Sequence, residues 1–278
     1  MKSKTVPALL VLVVLLAAAA WYWWPRLAPA PVPPPTVSAP PTSEAPPAIA
    51  HPIATDQADS AEPAGARIED HDPALLKALL ALPGGLRLAD LLVPENLIRH
   101  IVATVDALPR HKLAVALRPV HGPSGNLRIE GDDQHGALDE RNAARYAPAM
   151  AALQGLDMPA LAQLYRRHYA LFQRAYQDLG YPQGYFNDRL VAVIDELLAT
   201  PAAQGPLELV RPNVMWQFAD ADLEARSAGQ KLLLRIGTAH AAIVRAKLTE
   251  LRTLIASPSA SGSAAAPAVA APAAASAH

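Results

Sequence analysis

The chain contains no cysteine among its 278 residues. That excludes a disulfide scaffold, a thiolate-held structural zinc and a lipoprotein anchor. It fits an oxidising compartment without requiring one. An excess of charge is missing too: 24 Lys and Arg stand against 25 Asp and Glu. No basic face recommends nucleic acid, and no polybasic patch recommends anionic lipid.

What the chain does have begins with an uncharged apolar run, Val6–Trp24 (VPALLVLVVLLAAAAWYWW), with Lys2 and Lys4 before it and Arg26 after it. Nineteen residues of helix are roughly 28 Å long, close to the ~30 Å hydrocarbon core of a bilayer. Trp21, Tyr22, Trp23 and Trp24 gather at one end, where amphipathic rings favour the headgroup level. The rival reading is a cleaved signal peptide with an A-x-A site in Ala17–Ala20; the aromatic girdle and the length favour an uncleaved anchor. The flanking lysines put residues 1–5 in the cytoplasm and the bulk of the chain outside it. The expected location is a bacterial inner membrane, crossed once, with the C-terminal domain in the periplasm.

Residues 25–68 change composition abruptly, and 12 of the 28 prolines fall between Pro25 and Pro63. So few large apolar residues cannot build a core, and the segment reads as a disordered, polyproline-like linker. Its reach is on the order of 130 Å extended, or nearer 35 Å as a flexible coil. A proline-motif docking site is the minor alternative. Residues 257–278 form an Ala/Pro/Ser tail that also reads as disordered. Between them, residues 69–256 make one domain large enough to bury a core.

That domain is predicted to be mainly α. Asp72-Pro73 is an N-cap followed by a first-turn proline, opening a helix through Leu82. A second runs Pro94–Leu108. Residues 118–139, rich in glycine and proline, are non-helical, with a small β-hairpin pairing Leu127–Glu130 with Ala137–Asp139. One long helix is expected from Asp157 to Leu179, with Leu161, Leu164, Tyr165, His168, Phe172, Ala175, Tyr176 and Leu179 on its apolar face. Another covers Asn187–Ala199. Asp220 and Ser227 cap two short helices, and Thr238 opens a last one to Ile255.

Several blocks together resemble an uncharacterised bacterial family of unknown function, whose members are single-pass, membrane-anchored envelope proteins. They are TVDALP at 104–109 with Lys112, EGDD at 130–133, GYP at 180–182, GYFNDR at 184–189, Phe218-Ala219-Asp220, and SAGQKLLLR at 227–235. The resemblance implies a membrane-anchored envelope protein and carries no catalytic residues with it.

Chemical signatures are sparse. The nine histidines include no H-E-x-x-H and no helical i, i+4 pair, so no metal is expected. His168 reads as a hydrogen-bonded core residue. No serine sits in a G-x-S-x-G elbow, and Ser227–Lys231 lacks phosphate-loop spacing, so Ser227 is better read as a helix cap. Paired carboxylates would suit glycan hydrolysis. Asp132-Asp133 sits in a turn, however, and Asp188 and Asp195 share a polar helix face. The remaining candidate is Tyr185, Phe186, Asn187, Asp188 and Arg189, where aromatics, an amide, an acid and a guanidinium meet at a loop before a helix. In the competing reading, Tyr185 and Phe186 plug the core while Asn187 and Asp188 start the helix. No cofactor is called for. The expected function is a non-enzymatic envelope binding or scaffold module that meets peptidoglycan or another envelope protein. The alternative is a cell-wall hydrolase or its regulator.

Overall fold

The computed structural model describes residues 48–53, 66–203 and 205–256. The predicted span Val6–Trp24, most of the linker and the tail from 257 lie outside the described residues. Among the described residues no helix is long and apolar enough to cross a membrane.

The described residues form nine α-helices and one four-stranded antiparallel sheet. Helices α1 (Asp72–Ala81) and α2 (Leu97–Ala107) come first, then strands β1 (Ile129–Gly131) and β2 (His135–Leu138). Helices α3 (Ala147–Gly155), α4 (Met158–Arg167), α5 (Tyr169–Asp178) and α6 (Phe186–Leu198) follow. After β3 (Glu208–Val210) and β4 (Gln217–Phe218) come α7 (Ala221–Glu224), α8 (Ala228–Arg235) and α9 (Thr238–Ile255). The ordered body begins ahead of residue 69: Ile68 is buried in the core, and residues 48–53 lie on its surface.

The first two helices are joined by a carboxylate. Asp72 is the first residue of α1, not its cap, and its buried side chain accepts from Leu97 N and Ile98 N at 3.0 Å each. These are the free N–H groups of α2, whose own N-cap, Asn96, is left-handed (φ 53°) and makes no side-chain cap. A distant acid therefore replaces the local cap, and its negative charge suits the helix N-terminus. This explains why α2 starts at Leu97 rather than at Pro94.

The helix predicted over 157–179 is two helices. At His168 (φ −99°, ψ 12°) the chain leaves helical geometry, ending α4 and starting α5. The apolar pattern runs through the break because one non-helical residue barely disturbs a 3.6-residue period. His168 is half-buried there rather than central to the core. The break brings Tyr165, Tyr169 and Phe172 together around Phe186.

The hairpin forms where expected, slightly shifted, with Ile129 opposite Leu138. Asp132 Oδ1 closes its turn by accepting from Gln134 N and His135 N, both at 2.7 Å. Strands β3 and β4 extend the sheet in the order β1-β2-β3-β4. Leu209 and Phe218 then bury against Leu234 of α8. Asp220 and Ser227 cap α7 and α8 as their side chains suggest; Gly237, rather than Thr238, precedes α9.

Because Asp72 serves two buried donors, Asp72→Ala is expected to cost about 2 kcal/mol, or about 4–8 °C in melting temperature for a domain of this size. Thermal denaturation followed by circular dichroism checks this; a shift under ~1 °C would remove Asp72 as the tie between α1 and α2.

A pH dependence also follows. Glu69 lies below the usual carboxylate range through its own backbone N–H and Arg99, Asp139 through Arg141, and Asp195 through Arg252. At Glu224 burial pushes upward, but Lys231 and the Phe218 N–H outweigh it. Folded values below the unfolded ones contribute stability that is present above the unfolded values, near 4, and is lost as pH falls through the folded values. The melting temperature should therefore be nearly flat from about pH 7 to 5 and drop below about pH 4. A melting temperature that rises on acidification contradicts this.

Candidate functional site

The first turn of α6 divides its side chains between two tasks. Phe186 is 1 % exposed and stacks on Phe172, with ring centroids 6.1 Å apart and planes 8° from parallel. Its backbone N donates to Gln173 Oε1 at 2.8 Å, and Gln173 Nε2 donates to Gly184 O at 2.7 Å. The amide of α5 therefore holds the loop that leads into α6. Phe186 is core, as the competing reading had it.

Asn187 is 0 % exposed and joins three segments. Its Nδ2 donates to His51 O at 2.8 Å and to Ile255 O, at the end of α9, at 3.1 Å. Its Oδ1 accepts from the Tyr165 hydroxyl at 3.2 Å, and its backbone N donates to the Tyr169 hydroxyl at 3.3 Å. Both amide hydrogens and the carbonyl are thus used, as a buried amide requires. Burial is the main reason that the Tyr165 and Tyr169 phenols are pushed well above their usual range. Both stay protonated across the physiological range, so this part of the network does not change with pH.

Tyr185 and Asp188 face outward, onto residues 48–53. Asp188 Oδ2 accepts from Ala50 N at 3.0 Å and its Oδ1 from His51 N at 2.7 Å. The Tyr185 hydroxyl accepts from Ile53 N at 2.8 Å, while its ring lies 5.4 Å from that of Tyr169. The carboxylate sits in the first turn of α6, where the helix dipole favours an anion. Together with Asn187, these side chains grip, at four points, a stretch of backbone that bends at Ala50 and His51. Ile53 packs its side chain against the core beneath.

Arg189 points elsewhere. One residue along a helix turns about 100°, and its guanidinium reaches α2: Nε donates to Asp106 Oδ1 at 3.2 Å and Nη2 to Asp106 O at 2.8 Å. Asp106 is 3 % exposed and also accepts from Arg110 and, at 3.3 Å, from the Tyr181 hydroxyl. Of the five residues singled out in the sequence, Tyr185, Asn187 and Asp188 converge on one surface. Phe186 and Arg189 anchor that surface to the core and to α2.

Three other acids are committed to structural contacts. Asp195 pairs with Arg252, Asp132 closes a turn, and Asp106 is enclosed by two arginines. Among the described residues no group of three or more His, Asp or Glu is placed to hold a metal ion. An apolar cavity of about 190 Å³ lies between the helices, its lining including Leu79, Val105, Leu161, Phe186 and Leu251.

Residues 97–252 match the family model described as a protein of unknown function, DUF3014. The chain belongs to that family. No curated protein and no solved structure matches it. The matched region holds the whole of α6, with Tyr185, Asn187 and Asp188, and the Asp106 contacts of Arg189; residues 48–53 and α1 precede it. Tyr165, Tyr169 and Gln173, which orient the start of α6, look in the sequence like ordinary apolar-face and polar-face positions of a helix. Residues 48–53 look like more proline-rich linker. The only local hint is Ile49 and Ile53, two large apolar residues in a tract that has few.

The division of labour within α6 is measurable. Arg189→Ala leaves buried Asp106 short of a cation and should cost about 2 kcal/mol, about 4–8 °C on thermal unfolding. Asp188→Ala, at the surface, should move the melting temperature by no more than ~2 °C. Equal effects of the two, read from paired melting curves, would refute the assignment of separate roles.

Proposed function

We propose that this DUF3014 protein is a non-enzymatic binding or scaffold module of the bacterial envelope. In this reading residues 6–24 anchor it in the inner membrane, and the proline-rich stretch holds the domain at a variable distance in the periplasm. Peptidoglycan or another envelope protein is the partner.

The observation that carries the reading is the use made of the α6 side chains. Tyr185, Asn187 and Asp188 bond to the backbone of one short segment, residues 48–53, through an acceptor pair, a donor and a hydroxyl. These are holding contacts: each group is spent on a peptide N–H or C=O. A glycan hydrolase needs two carboxylates facing one bond, one of them able to donate a proton, whereas Asp106 and Asp195 are bound by arginine.

Incubating the purified full-length protein with peptidoglycan tests this. Co-sedimentation without release of soluble fragments is the expected result; release of fragments would make the protein a hydrolase. An alkaline phosphatase fusion near residue 70 should be active, and inactivity there, with an active cytoplasmic reporter at the same position, would reverse the orientation. If neither peptidoglycan nor any envelope protein is retained by co-sedimentation or in-cell crosslinking, the binding reading fails.

A further inference from the structure

The segment at the start of α6 is held as a ligand is held. Four hydrogen bonds join side chains of the domain to backbone atoms of the segment: Asp188 to the N–H of Ala50 and His51, Asn187 to the carbonyl of His51, and Tyr185 to the N–H of Ile53. Side-chain identity matters at His51, Pro52 and Ile53. Pro52 has no N–H, so the position between the His51 and Ile53 contacts leaves no donor unpaired. Ile53 is the one apolar anchor, packed against the core.

The segment is also loosely built in. Ala48, Ile49, Ala50 and Pro52 are exposed, so little apolar surface opposes release. His51 Nδ1 is buried without a hydrogen-bond partner, which penalises the docked state. The three clamp residues lie within the region matched to the family, and the segment lies outside it.

We infer that the α6 clamp is a peptide-binding site, and that residues 48–53 occupy it as an internal competitor for a protein segment of the same bent form. That form is two non-proline residues with free N–H groups, then proline, then a large apolar residue. The inference rests on the binding-module reading and gives its partner a chemistry. A partner segment takes the clamp by displacing residues 48–53, so the free protein is self-blocked. Tethering gives the internal segment an effective concentration in the millimolar range, which a partner overcomes by filling the His51 position with a side chain that leaves no buried atom unpaired.

The test uses the full-length protein and an end-blocked, fluorescent peptide copying residues 48–53. The double substitution Ala50→Pro and His51→Pro removes both N–H groups that Asp188 accepts, without touching the clamp. Fluorescence anisotropy should show the peptide binding this variant at least tenfold more tightly than the parent. Adding Asp188→Ala should abolish the binding. Equal affinity for parent and variant, or no binding to a variant that still melts cooperatively, overturns the inference.

A second readout does not depend on how the proline variant folds. The absence of cysteine lets Ile49→Cys carry a single nitroxide label at an exposed position. Titrating unlabelled peptide should sharpen its electron paramagnetic resonance spectrum as the segment is released. A spectrum unmoved at peptide saturation overturns displacement. Failure here with retained peptidoglycan binding would discard the peptide site alone and leave the envelope-binding function standing.

Discussion

The structure depends on how the first turn of α6 is fixed from both sides. Below it, Phe186 fills the space among Tyr165, Phe172 and Tyr176. Above it, the buried amide of Asn187 needs three partners and finds them in the α4 tyrosine, the end of α9 and the carbonyl of His51. An unpaired buried amide is costly, so these segments are held in mutual register. Arg189 adds the link to α2 through Asp106. Asp72 links α2 in turn to α1. A chain of buried polar contacts thus runs from the first helix to the last.

These contacts differ from a reactive site in how their groups are satisfied. Asn187 has no free donor, Asp106 no free face, and the tyrosines stay neutral through burial. Of these side chains, Asp188 and Tyr185 direct acceptors away from the core, and both acceptors meet peptide N–H groups. A set of oriented acceptors on a rigid helix start suits recognition of backbone, because any non-proline residue presents the same N–H. The part of the chain that belongs to the DUF3014 family supplies the acceptors, and a stretch outside it supplies the donors.

Much of this fold was legible residue by residue. The amphipathic stripe of α6, the caps Asp220 and Ser227, and the hairpin near 129–138 all rest on local signals that the structure bears out. Three features were not local. Asp72 reads as a cap for its own helix because the N–H groups it binds lie 25 and 26 residues away. Strands β3 and β4, of three and two residues, are too short for alternation to show and exist because β2 offers an edge. His168 breaks a helix without interrupting its apolar stripe. At the site, the polar mixture of 185–189 was visible. Its sorting into outward clamp and inward anchor was not, since it depends on where Asp106 and residues 48–53 lie.

The central claim is that backbone N–H groups of residues 48–53 are held by the side chains of α6. Amide hydrogen exchange measured residue by residue on the full-length protein tests it most directly. The account predicts that the N–H groups of Ala50, His51 and Ile53 are protected, and that Asp188→Ala restores fast exchange at Ala50 and His51 while the amides of α6 keep theirs. Exchange at unfolded-chain rates at all three positions in the parent protein would contradict it.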